Sequence, residues 1–222
     1  MVVVVAGRSQ ARRARSFVEL AALRSATYGL LGSLFLDPRE VDVVAARRLC
    51  GSAVASGLPF LPSLRALVEL VDDVSETDLL ERAGLFVLGA CPPYESAWVD
   101  ERGRDRGLVS VAVERAYAAA GLGFADANEL PDHAAIELGF MQLLCDDEER
   151  SRDRGDGEAL CEYLRRQAEF LERHLGRWFP PFCQGLGRAT APGSLYGALA
   201  RAGHAFVVHD RELVRVLAGE LP

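Results

Sequence analysis

The most informative apolar pattern in the sequence lies within residues 130–150, LPDHAAIELGFMQLLCDDEER. Apolar residues cover two faces of the helix that this segment predicts. They are Ile136, Phe140, Leu143 and Leu144 on one face, and Ala134, Leu138, Met141 and Cys145 on the other. A helix that is apolar on two faces is surrounded by other helices. We therefore predict a central, buried helix over residues 132–146.

The first turns of this helix carry polar residues in an otherwise apolar segment. Pro131 and Asp132 are typical of a helix start, because proline tolerates the first turn and aspartate accepts hydrogen bonds from free N–H groups. His133 and Glu137 follow, one turn apart on the same stripe. We therefore expect the functional region at this end of the central helix.

Amphipathic patterns elsewhere predict further helices. They cover residues 14–36, 41–56, 63–71, 75–87, 108–120, 158–179 and 195–206, followed by a last helix capped by Asp210. Pro180 and Pro181 are expected to end or kink the helix before them. No convincing strand and no internal repeat is present in the sequence. The pattern predicts an all-α fold, a single globular bundle of about nine or ten helices.

The chain divides into a short tail and one domain. We predict a flexible N-terminal tail over residues 1–13 and an all-helical domain over residues 14–222. Residues 91–107 form the clearest predicted loop, because two prolines are followed by aromatic, charged and glycine residues. Long loops between packed helices are often functional, so Tyr94 and Trp98 are candidates for a contact surface.

The composition limits which partners and which cellular compartment the sequence predicts. The 222 residues carry a formal net charge of −7, which disfavours a nucleic-acid partner and favours a basic one. The five cysteines follow no pairing pattern, which is typical of a reducing compartment. No apolar run is long enough to span a bilayer. These features predict a cytoplasmic protein without stable membrane insertion.

Signatures of catalysis are absent from the sequence. It contains no G-x-S-x-G, no P-loop, no G-x-G-x-x-G and no catalytic cysteine pattern. Its four histidines include no Glu-x-x-His motif, which the di-metal sites of helical bundles require. We therefore predict no catalytic residue and no bound metal. On these grounds alone, the chain is an acidic helical protein with a binding loop.

Three motifs in order resemble the signature blocks of one family. They are PPYESAW at residues 92–98, PDHAAIELGFMQLL at residues 131–144 and FLERHLGRWFPPFCQGL at residues 170–186. Together they resemble the TorD/DmsD/NarJ-like redox-enzyme maturation chaperones, and particularly those of type II dimethyl-sulfoxide-reductase-family molybdoenzymes. Two positions depart from the family pattern. Gly139 replaces a glutamate common in relatives, and ERAYAAAG stands where F-Y-x-A-F-G is common.

The resemblance implies an all-α chaperone with no cofactor of its own. Such proteins bind the twin-arginine signal peptide of a molybdoenzyme's catalytic subunit and hold that subunit until its cofactor is inserted. It also implies a monomer or a domain-swapped dimer.

The binding residues that this resemblance implies fall on two of the motifs. They are Tyr94, Glu95 and Trp98 in the first, and Pro131, Asp132, His133 and Glu137 in the second. An acidic chaperone attracts a basic peptide start, and a groove between helices buries its apolar segment. We expect Glu95, Asp132 and Glu137 to face the two arginines.

Two alternatives belong to other classes. An all-α ligand-responsive transcription regulator would need a basic helix-turn-helix, for which the arginine-rich start is the sole candidate. A helical enzyme would use His133 and Glu137 as acid and base. DNA binding at low salt would favour the first alternative, and turnover or a bound metal the second.

Overall fold

A computed structural model of the chain describes residues 3–51, 57–99, 106–123 and 129–219. These residues form ten α-helices and no strand, which confirms the all-α prediction. The helices are α1 (Val3–Leu36), α2 (Val43–Gly51), α3 (Leu61–Val71), α4 (Glu76–Arg82), α5 (Glu95–Val99), α6 (Arg106–Ala119), α7 (Ala134–Arg154), α8 (Gly157–Arg173), α9 (Leu175–Ala189) and α10 (Leu195–Gly219). A 3-10 turn (Pro38–Glu40) follows α1, and a π-helical turn (Ala83–Val87) follows α4.

Helix α7 lies at the centre of the bundle, as its apolar pattern predicts. It packs along α1 and also contacts α8 and α9. Leu138 and Met141 are fully buried, whereas Leu143 is 45% exposed, so the apolar face that carries Leu143 is incomplete. Helix α1 approaches closely because Gly29 lies against Gln142, where a methyl group would come within 2.8 Å of the amide oxygen.

A buried network of charged groups joins four helices away from the predicted site. Arg24 of α1 donates from Nε to Asp210 of α10 (2.5 Å) and from Nη1 to Glu148 of α7 (2.6 Å). Its Nη2 donates to Gln167 of α8 (2.5 Å), and Tyr28 donates to Asp210 (2.6 Å). Glu148 also pairs with Arg152 (2.8 Å), so two guanidiniums compensate the two carboxylates.

Several helix boundaries differ from those the sequence predicts. Helix α1 begins at Val3, so part of the segment predicted as a tail is helical. The segments around residues 195–219 form one helix, and Asp210 lies in its interior instead of capping a new helix. The predicted loop contains the short helix α5, and its residues 100–105 lie outside the described part of the chain. Ser75 and Asp78 form a capping box at the start of α4.

The long C-terminal amphipathic helix breaks at His174, not at the two prolines. His174 has φ −125° and ψ −105°, which separates α8 from α9. Pro180 and Pro181 lie inside α9. Because Pro180 has no N–H, the carbonyl of Gly176 one turn earlier loses its helical donor. The guanidinium of Arg211 from α10 donates to that carbonyl at 3.5 Å, so a neighbouring helix replaces the missing bond.

Candidate functional site

The two motif segments that the sequence singled out lie side by side. Tyr94 and His133 form an isolated antiparallel bridge. The N–H of Glu95 donates to the carbonyl of Asp132 (2.9 Å), and the N–H of Ala134 donates to the carbonyl of Pro93 (2.8 Å). The start of α7 is therefore fixed to the loop before α5. We call residues 92–98 together with residues 131–137 the bridged site.

Asp132 holds the bridged site together from inside. Its side chain is fully buried. One carboxylate oxygen accepts from the N–H of Ser96 (3.0 Å) and the other from the hydroxyl of Ser110 (2.5 Å). Ser96 is in the first turn of α5, so Asp132 binds the start of α5. The prediction that Asp132 caps its own helix is therefore wrong. Tyr117 adds a further bond, since its hydroxyl donates to the carbonyl of Pro131 (2.8 Å).

The N-cap of α7 is His133. Its Nδ1 accepts from the N–H of Ala135 (3.2 Å), which satisfies one of the free donors of the first turn. The ring packs edge-on against Tyr94, with centroids 5.1 Å apart. The Tyr94 hydroxyl donates to Glu129 (2.8 Å). Burial, and next the hydrogen bond to Glu129, raise the pKa of Tyr94 to about 12, so this phenol keeps its proton at neutral pH.

Two buried glutamates meet behind the bridged site. Glu137 accepts from the indole N–H of Trp178 (2.9 Å), and Glu95 lies 3.0 Å from Nδ1 of His174. Burial raises the pKa of Glu137 well above its usual range, and the charge of Glu95 raises it further. Both effects favour the protonated form of the Glu137 carboxyl beside Glu95. The pair joins α5, α7 and α9.

Tyr117 of α6 lies close to three acidic side chains of this cluster. Burial raises the pKa of its phenol strongly, and the charges of Glu137, Asp132 and Glu95 add to the effect. A neutral phenol beside three acidic groups acts as a hydrogen-bond donor. Tyr117 therefore stabilises the start of α7 without adding charge.

Trp98 is half-buried at the other end of α5. Its indole N–H donates to the carbonyl of Pro92 (2.9 Å), which closes the loop upon itself. The ring packs edge-on against Phe182 with centroids 5.6 Å apart, and it lies directly over Gly185 of α9, where a side chain would collide with it. Trp98 therefore fixes α5 on α9 while part of its ring stays accessible.

Four of the predicted residues, Glu95, Asp132, His133 and Glu137, come together in one buried cluster, and Pro131 accepts the bond from Tyr117. Tyr94 and Trp98 lie at its partly exposed edge. Sequence reasoning missed Ser110, Tyr117, His174 and Trp178 as members of the cluster. His174 and Trp178 stand one turn apart on the same side as Leu171 and Leu175, a signal that polar atoms enter the core there.

The geometry does not support an acid–base pair of His133 and Glu137. Nδ1 of His133 is occupied by a backbone N–H, and its Nε2 lies 4.0 Å from Glu129. Glu137 faces Trp178 and Glu95 in a region without solvent. Among the described residues, no group of three or more His, Cys, Asp or Glu side chains could hold a metal ion. In the same part of the chain, no helix combines the length and apolar character that crossing a bilayer requires.

Comparison with known proteins gives consistent matches. Residues 59–184 match the model of a family described as the nitrate reductase delta subunit. The chlorate reductase assembly chaperone protein of Ideonella dechloratans is 34% identical over 63% of this chain and 75% of that protein. The selenate reductase assembly chaperone protein of Thauera selenatis is 37% identical over 32% of this chain and 36% of its own length. The chaperone protein TorD of Vibrio cholerae is 30% identical over 58% of this chain and 56% of its own length.

An all-α fold with these bridged motifs and these relatives defines a maturation chaperone of the TorD/NarJ-like class. The chain belongs to the nitrate reductase delta subunit family, whose matched region contains both segments of the bridged site. The family resemblance drawn from the three motifs is thus confirmed. The named relatives are chaperones, two of them assembly chaperones, so the chain is classed with chaperones and not with enzymes.

Proposed function

We propose that this protein is a cytoplasmic chaperone specific for one molybdenum-cofactor oxidoreductase. It binds the twin-arginine signal peptide and the apo catalytic subunit, supports cofactor insertion and delays export until insertion is complete. The observation that carries the proposal is the bridged site, because its two motif segments lie in direct contact within the family-matched region.

Charge and shape support a basic, partly apolar ligand. The net charge of −7 attracts the basic start of a leader peptide over a distance. The leader's apolar segment needs accessible apolar surface, and Leu130, which directly precedes the PDH motif, is 52% exposed. Tyr94 and Trp98 at the same edge are amphipathic rings suited to such contacts.

The buried acids have a different role from the one we predicted. We expected Glu95, Asp132 and Glu137 to face the two arginines, yet their side chains are 0–2% exposed and already partnered inside the chain. A direct ion pair would require the bridged site to open. We propose that these carboxyl groups fix the loop and the start of α7, and that the accessible edge of Tyr94, Trp98 and Leu130 contacts the peptide.

A binding experiment with the client tests the proposal. The catalytic subunit of a candidate client molybdoenzyme is produced without cofactor, with and without its leader. Size-exclusion chromatography of each form with the full-length chaperone should give a complex with the leader-bearing subunit and a weaker one without the leader. If neither form of the subunit forms a complex at low salt, the chaperone proposal is wrong for this client.

A surface variant tests whether the client binds at the exposed edge of the bridged site. Leu130→Ser changes an exposed side chain and leaves the buried bonds in place, so it should weaken the complex without changing the melting temperature. Val216→Ser is a matched control, because Val216 is also 52% exposed but lies near the end of α10. Equal loss of binding in both variants would show that general surface hydrophobicity, not this edge, holds the client.

A further inference from the structure

A second surface lies outside the bridged site. Helices α6 and α8 border a cavity of about 270 Å³. Its floor is apolar and includes Phe140, Phe170 and the alanines Ala112, Ala116 and Ala119. The two phenylalanine rings are nearly buried and pack against each other, with centroids 4.7 Å apart. We call this surface the α6–α8 groove.

The rim of the α6–α8 groove is basic, although the protein as a whole is acidic. The arginines Arg115, Arg165, Arg166 and Arg173 line it. Arg165 and Arg166 share Glu162, and Arg165 and Arg173 share Glu169. Arg115 has no acidic partner among the residues that the structure describes. Four guanidiniums against two carboxylates leave the rim with a net positive charge.

The apolar strip extends beyond the cavity along α6. Leu108 is 68% exposed and lies on the side of the helix that carries Ala112 and Ala119, one turn and three turns further along. From Leu108 to Ala119 the strip is about 17 Å long at the usual rise of an α-helix. An elongated apolar strip beside a row of positive charges fits an elongated ligand better than a compact anion.

We infer that the α6–α8 groove binds an acidic amphipathic helix of a partner protein. Apolar side chains of that helix would lie on the alanine and phenylalanine floor, and its Asp or Glu side chains would pair with the arginines of the rim. The rim repels the basic start of a twin-arginine leader, so this surface is separate from the leader site. The inference does not rest on the proposed function, since it follows from the charge and shape of the groove.

A pair of synthetic peptides tests the inference. Each has about 18 residues, enough for about five helical turns, with leucines on one face and either Glu or Lys on the other. Fluorescence anisotropy with the full-length protein should show binding of the Glu peptide and at least roughly tenfold weaker binding of the Lys peptide. Equal binding of both peptides would overturn the inference.

Two pairs of variants locate the binding. Arg173→Glu should weaken the Glu peptide, whereas Arg215→Glu should not, although both arginines are more than 70% exposed and pair with a glutamate on their own helix. Ala112→Trp should block the floor, whereas Ala118→Trp adds the same ring to an exposed position of α6 outside the groove. If Ala112→Trp leaves binding intact while Arg173→Glu abolishes it, the ligand uses only charge and the amphipathic partner is wrong.

Two further measurements complete the test. Circular dichroism of each variant should show the wild-type melting temperature, so that lost binding is not lost folding. Sedimentation should show that Arg115→Glu does not change the oligomeric state. If the wild type dimerises and Arg115→Glu makes it monomeric, the groove holds a second copy of this chain and the inference of a different partner is overturned.

Discussion

The indole N–H of Trp178 donates to Oε2 of Glu137 over 2.9 Å, with both residues fully buried. This bond places a carboxyl group of α7 between the indole of α9 and the carboxyl of Glu95 in α5. Burial and the neighbouring charge raise the pKa of Glu137. The interior behind the bridged site therefore favours the protonated form of Glu137.

That proton makes stability depend on pH. The folded-state pKa of Glu137 lies above its ordinary value of 4.5, so the folded chain binds the proton more tightly than the unfolded chain. This contribution is complete below pH 4.5 and is lost as the pH rises through the folded-state value. Glu137→Gln keeps the shape and needs no proton, so we expect a smaller loss of stability as the pH rises above 4.5.

Urea unfolding at several pH values measures this effect. The control is Glu212→Gln, which changes a carboxylate that is 62% exposed in an ion pair with Arg215 and should keep the wild-type pH profile. An unchanged profile in Glu137→Gln would contradict the held proton. Glu137→Ala, in contrast, should cost about 1–3 kcal/mol at every pH, because Trp178 loses its buried acceptor.

The buried network around Arg24 predicts a larger loss. Arg24→Met leaves Asp210 and Glu148 without their shared cation in a region where both are 1% exposed. Removing one member of a buried ion pair costs about 3–5 kcal/mol. Chemical denaturation should show this loss in Arg24→Met and almost none in Arg47→Met, whose partner Asp72 is at the surface. Losses of equal size would show that the network contributes no more than a surface pair.

Asp132→Asn tests how the bridged site is held. The substitution removes the charge that accepts from the Ser96 N–H and the Ser110 hydroxyl. Bonds to a charged group contribute about 1.5–3 kcal/mol, so α5 should open locally more often. Hydrogen exchange should quicken at the Ser96 amide and stay unchanged at amides in the middle of α10. Exchange that quickens equally throughout would indicate a global effect and not a local anchor.

His133→Ala separates the helix cap from peptide binding. Losing an N-cap costs typically about 1 kcal/mol, which a domain of this size should survive. Because the ring also packs against Tyr94, we expect the substitution to cost more free energy in leader binding than in folding. Thermal melting and peptide titration of the same sample compare the two. A lower melting temperature with normal affinity of the folded fraction would make His133 a purely structural residue.

The all-α architecture and part of the site could be predicted from the sequence. The two apolar faces around Leu138 indicate a central helix, and that pattern depends only on helical periodicity. Contacts between segments distant in sequence were harder to predict. Asp132 looked like the cap of its own helix because Pro131 precedes it, and only the folded chain brings Ser96 within reach of its carboxylate.

The predicted helix boundaries are wrong where tertiary contacts replace local ones. Pro180 normally ends a helix, but Arg211 supplies a donor to the carbonyl of Gly176 that the proline leaves free. Asp210 resembles a cap in sequence, yet Arg24 stabilises it inside a continuous helix. In each case the partner lies more than thirty positions away, which local patterns do not record.

Isothermal titration of the full-length protein with the client's leader peptide tests the central claim most directly. The wild-type peptide should bind with an electrostatic part that weakens as salt rises and an apolar part that persists at high salt. A twin-lysine peptide should lose affinity, because lysine lacks the planar guanidinium with which arginine stacks on aromatic rings such as Tyr94 and Trp98. Leader binding that weakens with salt and with the lysine exchange is the predicted result. If neither peptide binds at low salt, the assignment of this protein as a leader-binding chaperone is contradicted.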